Sequence, residues 1–204
     1  MKHDRRQEIL MAAMELFAKK GFRGTTTRDL ATQADVNEAI IFRHFNNKEE
    51  LYSAILEHKA GEAHDTRMGE LERLAKEGTE EEFFLALGRN FMERHEKDTT
   101  FMRLLLFSAL EGHQLSDMFI ASMTARKPFF NYIQKRIDDG VFRPMNAQLA
   151  ARAFFGMFAS FVLWQEIFGF KKTQPHDPEE VVRTFVSIFL KGMRQDGNSE
   201  AVSS

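Results

Sequence analysis

Thr26, Thr27 and Arg28, followed by Asn37, Glu38, Ala39, Ile40, Phe42, Arg43, His44 and Lys48, put an unusual range of polar chemistry into one short stretch. Hydroxyls, an amide, a carboxylate, two guanidinium groups, an imidazole and an ammonium lie there with no nucleophile–base pair among them. Such groups suit recognition rather than bond-breaking. Thr26, Thr27 and Lys48 fall at expected helix N-termini, where hydroxyls and free backbone N–H groups suit phosphate. Arg28 and Arg43 can reach phosphate or guanine, and His44 phosphate. Glu38 can accept from a cytosine amino group, and Ile40 can touch a thymine methyl. The chemistry is that of reading duplex DNA.

Those side chains need a scaffold. Ile9, Leu10, Ala13, Leu16 and Phe17 have the spacing of a helix over 5–20 with one buried stripe. Gly21 is placed to end it in the left-handed conformation. Thr26 and Asp29 form a capping-box pair for a second helix, with Leu30, Ala31 and Ala34 on its inner side. Asp35 occupies the turn, and Asn37 caps a third helix of about seven residues. Val36, Ile41 and Phe45 turn inward with Leu30 and Phe17. A helix that short is held only by packing, which leaves its outer side for the major groove.

From Lys48 onward helices are expected at roughly 48–76, 79–96, 99–111, 115–126, 128–139, 147–169 and 178–193. No segment alternates with period two over a strand's length. The fold class is therefore all-α: an N-terminal three-helix helix-turn-helix domain over 1–47, a C-terminal helical bundle over 48–194, and a disordered polar tail over 195–204, about nine helices in total.

The totals bound the remaining functions. Of the 28 Lys and Arg and 30 Asp and Glu, nine and six fall in residues 1–48, leaving a balance of +3 in front and −5 behind. A basic head on an acidic body fits local docking on DNA. The chain has no cysteine, which removes disulfides and thiolate sites. Neither a Gly-rich phosphate loop nor a Gly-x-Ser-x-Gly turn occurs, so no enzyme chemistry and no cofactor are expected. His58 and Glu62, with His64 and Asp65 nearby, have the one spacing compatible with a metal, but it fits a solvated helix face better. The start shows no signal peptide, and the apolar run Ala153–Gln165, 13 residues, falls short of the roughly 17–25 that a membrane span needs. The expected location is the cytoplasm.

Seventeen of the 21 Phe lie beyond Leu51. Most serve as core, while a greasy pocket is the sharper reading. Its expected walls are Met102, Leu106, Phe107, Phe129, Phe130, Phe158, Phe161 and Trp164, with Arg103, Glu111, His113 and Gln165 as polar contacts. Between Ala153 and Trp164 the penultimate helix is apolar on every side, so it calls for cover all round. Val181, Val182, Phe185, Ile188, Phe189 and Met193 on the last helix could serve both core and partner, and Gly156 and Gly192 allow close approach. The expectation is a two-fold homodimer through the last two helices.

Residues 5–52 resemble the DNA-binding region of TetR/AcrR-type transcriptional regulators. The resemblance rests on Thr25-Thr26-Thr27-Arg28-Asp29-Leu30-Ala31, Val36, Phe42, His44-Phe45 and Lys48-Glu49-Glu50-Leu51, and in layout on Asp139-Gly140-Val141-Phe142-Arg143-Pro144. It implies a ligand-responsive regulator, a repressor on a palindromic operator, released by a small, largely apolar effector. Asp35 stands where the family often has Gly, Ala39 where it has Gly or Pro, and Phe42 where it usually has a phosphate-binding Tyr. Losing that hydroxyl removes a neutral hydrogen bond, about 0.5–1.5 kcal/mol. The competing readings are a helical protein-interaction module without DNA and, behind it, a helical enzyme.

Overall fold

The computed structural model describes residues 5–65, 68–112 and 127–195. Ten α-helices run through them: α1 (Arg5–Lys20), α2 (Thr27–Gln33), α3 (Glu38–His44), α4 (Lys48–Asp65), α5 (Met68–Glu77), α6 (Glu80–Lys97), α7 (Thr100–Glu111), α8 (Lys127–Asp138), α9 (Ala147–Val162) and α10 (Pro178–Met193). A π-helical turn, Leu163–Ile167, continues α9, and a 3-10 turn, Phe170–Lys172, follows. No strand occurs among the described residues; a single antiparallel bridge joins Phe142 to Arg194. The all-α reading holds. The expected helix at 115–126 lies outside the described residues, as do residues 196–204 of the tail. Of the single helix expected over 48–76, the described residues form α4 and α5, and residues 66–67 between them lie outside the described residues.

Packing divides the chain into two compact units, one holding α1–α4 with α7, the other α5, α6 and α8–α10. In the first, α1 buries Ile9, Leu10, Ala13, Met14, Leu16, Phe17 and Ala18 along one stripe. The hydrophobic centre joins Phe17 and Leu30 to Ile41, Phe45, Leu51 and Tyr52, each no more than 2% exposed. Burying such side chains contributes about 1.5–3 kcal/mol apiece, which is what holds helices too short to stand alone. Tyr52 sets its ring edge-on to Phe17, 4.9 Å between centroids, and donates its hydroxyl to the Leu104 carbonyl of α7 at 3.1 Å. Burial, with the Glu111 charge adding to it, pushes that phenol up to about 12.

The second unit is built on aromatic rings. Phe84, Phe154, Phe158 and Phe189 meet edge to face or tilted at 5.0–5.1 Å. Gly88 makes the α6 approach possible, since a Cβ there would lie 2.8 Å from the Phe158 ring and 3.1 Å from Val182. The link after α8 is tied down by Arg143, whose backbone N–H donates to Met193 at 2.9 Å and whose Nε donates to Gly192 at 2.7 Å. Ala147–Ile167 is helical throughout, and its 21 residues are long and apolar enough to cross a membrane by length and composition alone. The helix expected over 147–169 is thus present, and its apolar length exceeds the 13-residue run Ala153–Gln165. Ala150, Ala151, Phe154, Phe158 and Val162 of it are buried in the core of this unit.

Candidate nucleic-acid interface

The interface is assembled from two short helices and the turn between them. Thr26 caps α2 from both directions: its hydroxyl accepts from the Asp29 N–H at 3.1 Å, and the Asp29 carboxylate accepts from the Thr26 N–H at 3.0 Å. Those bonds, with Lys20 beside it, hold the Asp29 carboxyl below its ordinary range. The turn relies on Asp35 at φ 50°, a left-handed conformation that Asp tolerates better than most residues. Asn37 then caps α3, its side-chain oxygen accepting from the Ile40 N–H at 3.0 Å.

On α3, Ile41 is buried and Phe45 follows it inward, while Glu38, Ala39, Phe42 and Arg43 are exposed. Helical spacing puts Glu38 above Phe42 and Ala39 above Arg43 on one outward face. Phe42 is 46% exposed, a large apolar ring open to solvent. Arg28, Thr26 and Asn37 are also exposed, and Thr27 and His44 are half-buried. Arg28 and Arg43 have no ion-pair partner among the described residues. Cations, a ring and a carboxylate thus share one uncovered surface.

Three expected residues are placed differently. The Lys48 ammonium turns inward, donating to the carbonyls of Phe22 at 2.7 Å and Thr25 at 2.8 Å, 4.1 Å above the Phe22 ring. Burial pushes it below its ordinary value. It braces the turn before α2, joining the Thr25 carbonyl to that of Phe22, which also accepts from the Thr25 N–H at 3.3 Å. Ile40 is half-buried against the hydrophobic centre, so only part of it faces outward. The Thr27 hydroxyl donates to Glu38 at 2.6 Å, linking α2 to α3.

The expected pocket residues are divided between the two units. Glu111 is engaged with backbone: its carboxylate accepts from the N–H groups of Phe22 at 3.0 Å and Arg23 at 3.2 Å, and its carbonyl accepts from the Arg23 guanidinium at 3.1 Å. The 21–25 turn is therefore held by Lys48 and Glu111, a role in which spacing gave no signal. Met102, Leu106 and Phe107 of α7 are half-buried and Arg103 is exposed, all in the first unit. In the second unit Phe158 is fully buried and Phe129 buried in the aromatic core, and Phe130 is half-buried. Trp164 is 47% exposed and stacks on Phe170 at 5.2 Å. Phe161 and Gln165 line a cleft with Met92, Glu96, Val162, Glu166, Lys171 and His176, whose free space of about 10 Å³ would hold one water. His113 lies outside the described residues. His58 approaches Gln7, and no metal-ligating cluster occurs among the described residues.

A helix-turn-helix with an uncovered second helix, carried on an all-α chain, is the architecture of a DNA-binding transcriptional regulator. Residues 9–55 match the pattern described as bacterial regulatory proteins, tetR family, and residues 82–192 that of the AefR-like transcriptional repressor C-terminal domain. The chain belongs to the TetR family of transcriptional regulators. It is 26% identical to the transcriptional repressor KstR2 of Mycolicibacterium smegmatis, over 94% of this chain and 91% of that protein. Its fold is that of the regulator FadR from Bacillus subtilis, crystallised with stearoyl-CoA (TM-score 0.72, 19% identity, 92% of this chain and 99% of that one). It is likewise that of AibR crystallised with isovaleryl coenzyme A and operator DNA (TM-score 0.70, 19% identity, 91% and 97%).

Proposed function

We propose that this chain is a homodimeric repressor that binds a palindromic operator and is released by a small, largely apolar effector. The observation that carries the DNA reading is the uncovered face of α3, with Glu38, Ala39, Phe42 and Arg43 outward and Ile41 buried behind. In this reading residues 1–47 dock on DNA and 48–194 bind effector and partner. Arg28, Arg43 and His44 neutralise phosphate or reach guanine, Thr26 and Asn37 direct the backbone N–H groups of their helix starts, and Ala39, Ile40 and Phe42 touch base edges and methyl groups. Lys48 and Glu111 hold the turn that sets the angle of entry.

Support for the dimer comes from the outer side of the last two helices. On α9 Leu149 is 62% exposed, Ala153, Gly156 and Ser160 are also open, and Ile188 on α10 is 57% exposed. Apolar and small residues uncovered at helical spacing are costly against water and suit a second copy. A two-fold pair of heads calls for half-sites roughly 34–36 Å apart, about one helical turn. The effector is sought first among acyl-CoA esters, because two regulators of the same fold hold them and an acyl chain matches a Phe- and Met-rich body.

Site selection from random duplexes, followed by affinity at physiological salt, tests the reading. The expected result is an inverted repeat bound 10³–10⁷-fold more tightly than random DNA, with affinity falling steeply as salt rises. Equal affinity for all duplexes, or none for any, sinks it. Acyl-CoA esters of graded chain length, added to the complex, should release the DNA at some length; a complex indifferent to all of them removes that effector class.

A further inference from the structure

Glu38 is the one acidic side chain on the outward face of α3, and its surroundings are specific. The Thr27 hydroxyl donates to Glu38 Oε2 at 2.6 Å, the short distance of a hydrogen bond to an ionised acceptor. Glu38 is exposed, and no cation pairs with its carboxylate among the described residues; in the DNA-binding reading it lies on the surface that meets DNA. A bare carboxylate beside phosphate is repelled, and only a donor on a base edge can offset that cost.

The major groove offers two amino donors, cytosine N4 and adenine N6. Adenine N6 sits beside N7, an acceptor of the same base that a carboxylate would face unfavourably, whereas carboxylates accept from cytosine N4. A long side chain that must find that donor loses rotamer freedom on binding. The Thr27 bond removes part of that freedom in advance, from a neighbouring helix.

Building on the DNA-binding reading, we infer that Thr27 and Glu38 act as a pair: Thr27 orients the Glu38 carboxylate, which accepts from the N4 amino group of one cytosine per half-site. Glu38 is the specificity-determining residue and Thr27 a positioning residue. Repulsion of every other base at that place makes the pair a filter against wrong sites more than a source of affinity.

Site selection with full-length wild type, Glu38→Ala, Glu38→Gln, Thr27→Val and Thr27→Ser tests this, with circular dichroism to confirm folding. Wild type should require a C·G pair at one position and lose roughly 10-fold or more in affinity when it becomes T·A. Glu38→Ala should accept any base there while the rest of the motif is kept, and Glu38→Gln, whose amide both donates and accepts, should move the preference at that position towards A·T. Thr27→Val should weaken the preference in part, and Thr27→Ser, which keeps the hydroxyl, should restore it. If Glu38→Ala binds all duplexes more tightly with an unchanged motif, Glu38 only repels and the inference is overturned. If Thr27→Val and Thr27→Ser behave alike, the pairing is overturned. A wild type that enriches no motif overturns the DNA-binding reading itself, a result distinct from either.

Discussion

Glu111 shows how one side chain can carry more than its type announces. Its carboxylate satisfies two backbone donors just beyond α1, and Gly21 at φ 75° leaves the room: a Cβ there would lie 2.5 Å from the carboxylate and 2.9 Å from Phe107. Bonds to a charged acceptor contribute about 1.5–3 kcal/mol when lost from a part-buried site. Glu111→Ala should therefore lower the unfolding free energy by about 2 kcal/mol in urea titrations. It should weaken operator binding as well, although the residue touches no DNA in the proposed reading. An unchanged urea midpoint would show that water replaces the carboxylate without cost.

At the scale of elements, α6 and α10 are clasped by Arg89, whose guanidinium donates to both Glu179 oxygens at 2.8 and 2.6 Å. Glu179 also pairs with Arg183 at 2.8 Å and stands in the first turn of α10, where the helix dipole favours an anion. Arg89 holds its carboxyl down at about 2 against an ordinary value of 4.5. A depressed carboxylate stabilises the fold above its unfolded pKa, and that contribution fades as pH falls from about 4.5 towards 2. Glu179→Gln should therefore unfold at lower urea than wild type at pH 7, and the gap should narrow by pH 3. A gap that is constant with pH would assign the loss to packing rather than charge.

For the molecule as a whole, the proposed dimer makes the heads interdependent: two weak half-site contacts add only when one rigid pairing presents both. Gly156 lies exposed on α9, and a Cβ at that position would meet nothing within 4 Å, so a side chain there starts into open space. Sedimentation should show wild type at dimer mass and Gly156→Arg shifted towards monomer at micromolar concentration. Operator affinity should fall by orders of magnitude with it, while helix content by circular dichroism stays the same. A variant that remains dimeric would place the partner elsewhere.

The helix-turn-helix was legible residue by residue because its signals are local. A cap at Thr26, a left-handed turn at Asp35, a cap at Asn37 and the inward spacing of Ile41 and Phe45 depend on neighbours a few positions away. The all-α class followed from periodicity for the same reason. Tertiary structure alone decided where long side chains spend their hydrogen bonds. Lys48 reaches carbonyls 26 and 23 residues earlier, Glu111 reaches N–H groups 89 and 88 residues earlier, and Phe158 is buried among rings contributed by other helices. Nothing in a linear spacing shows which orphan backbone group will come within hydrogen-bonding reach of a flexible charge, because that distance is set by how separate helices pack.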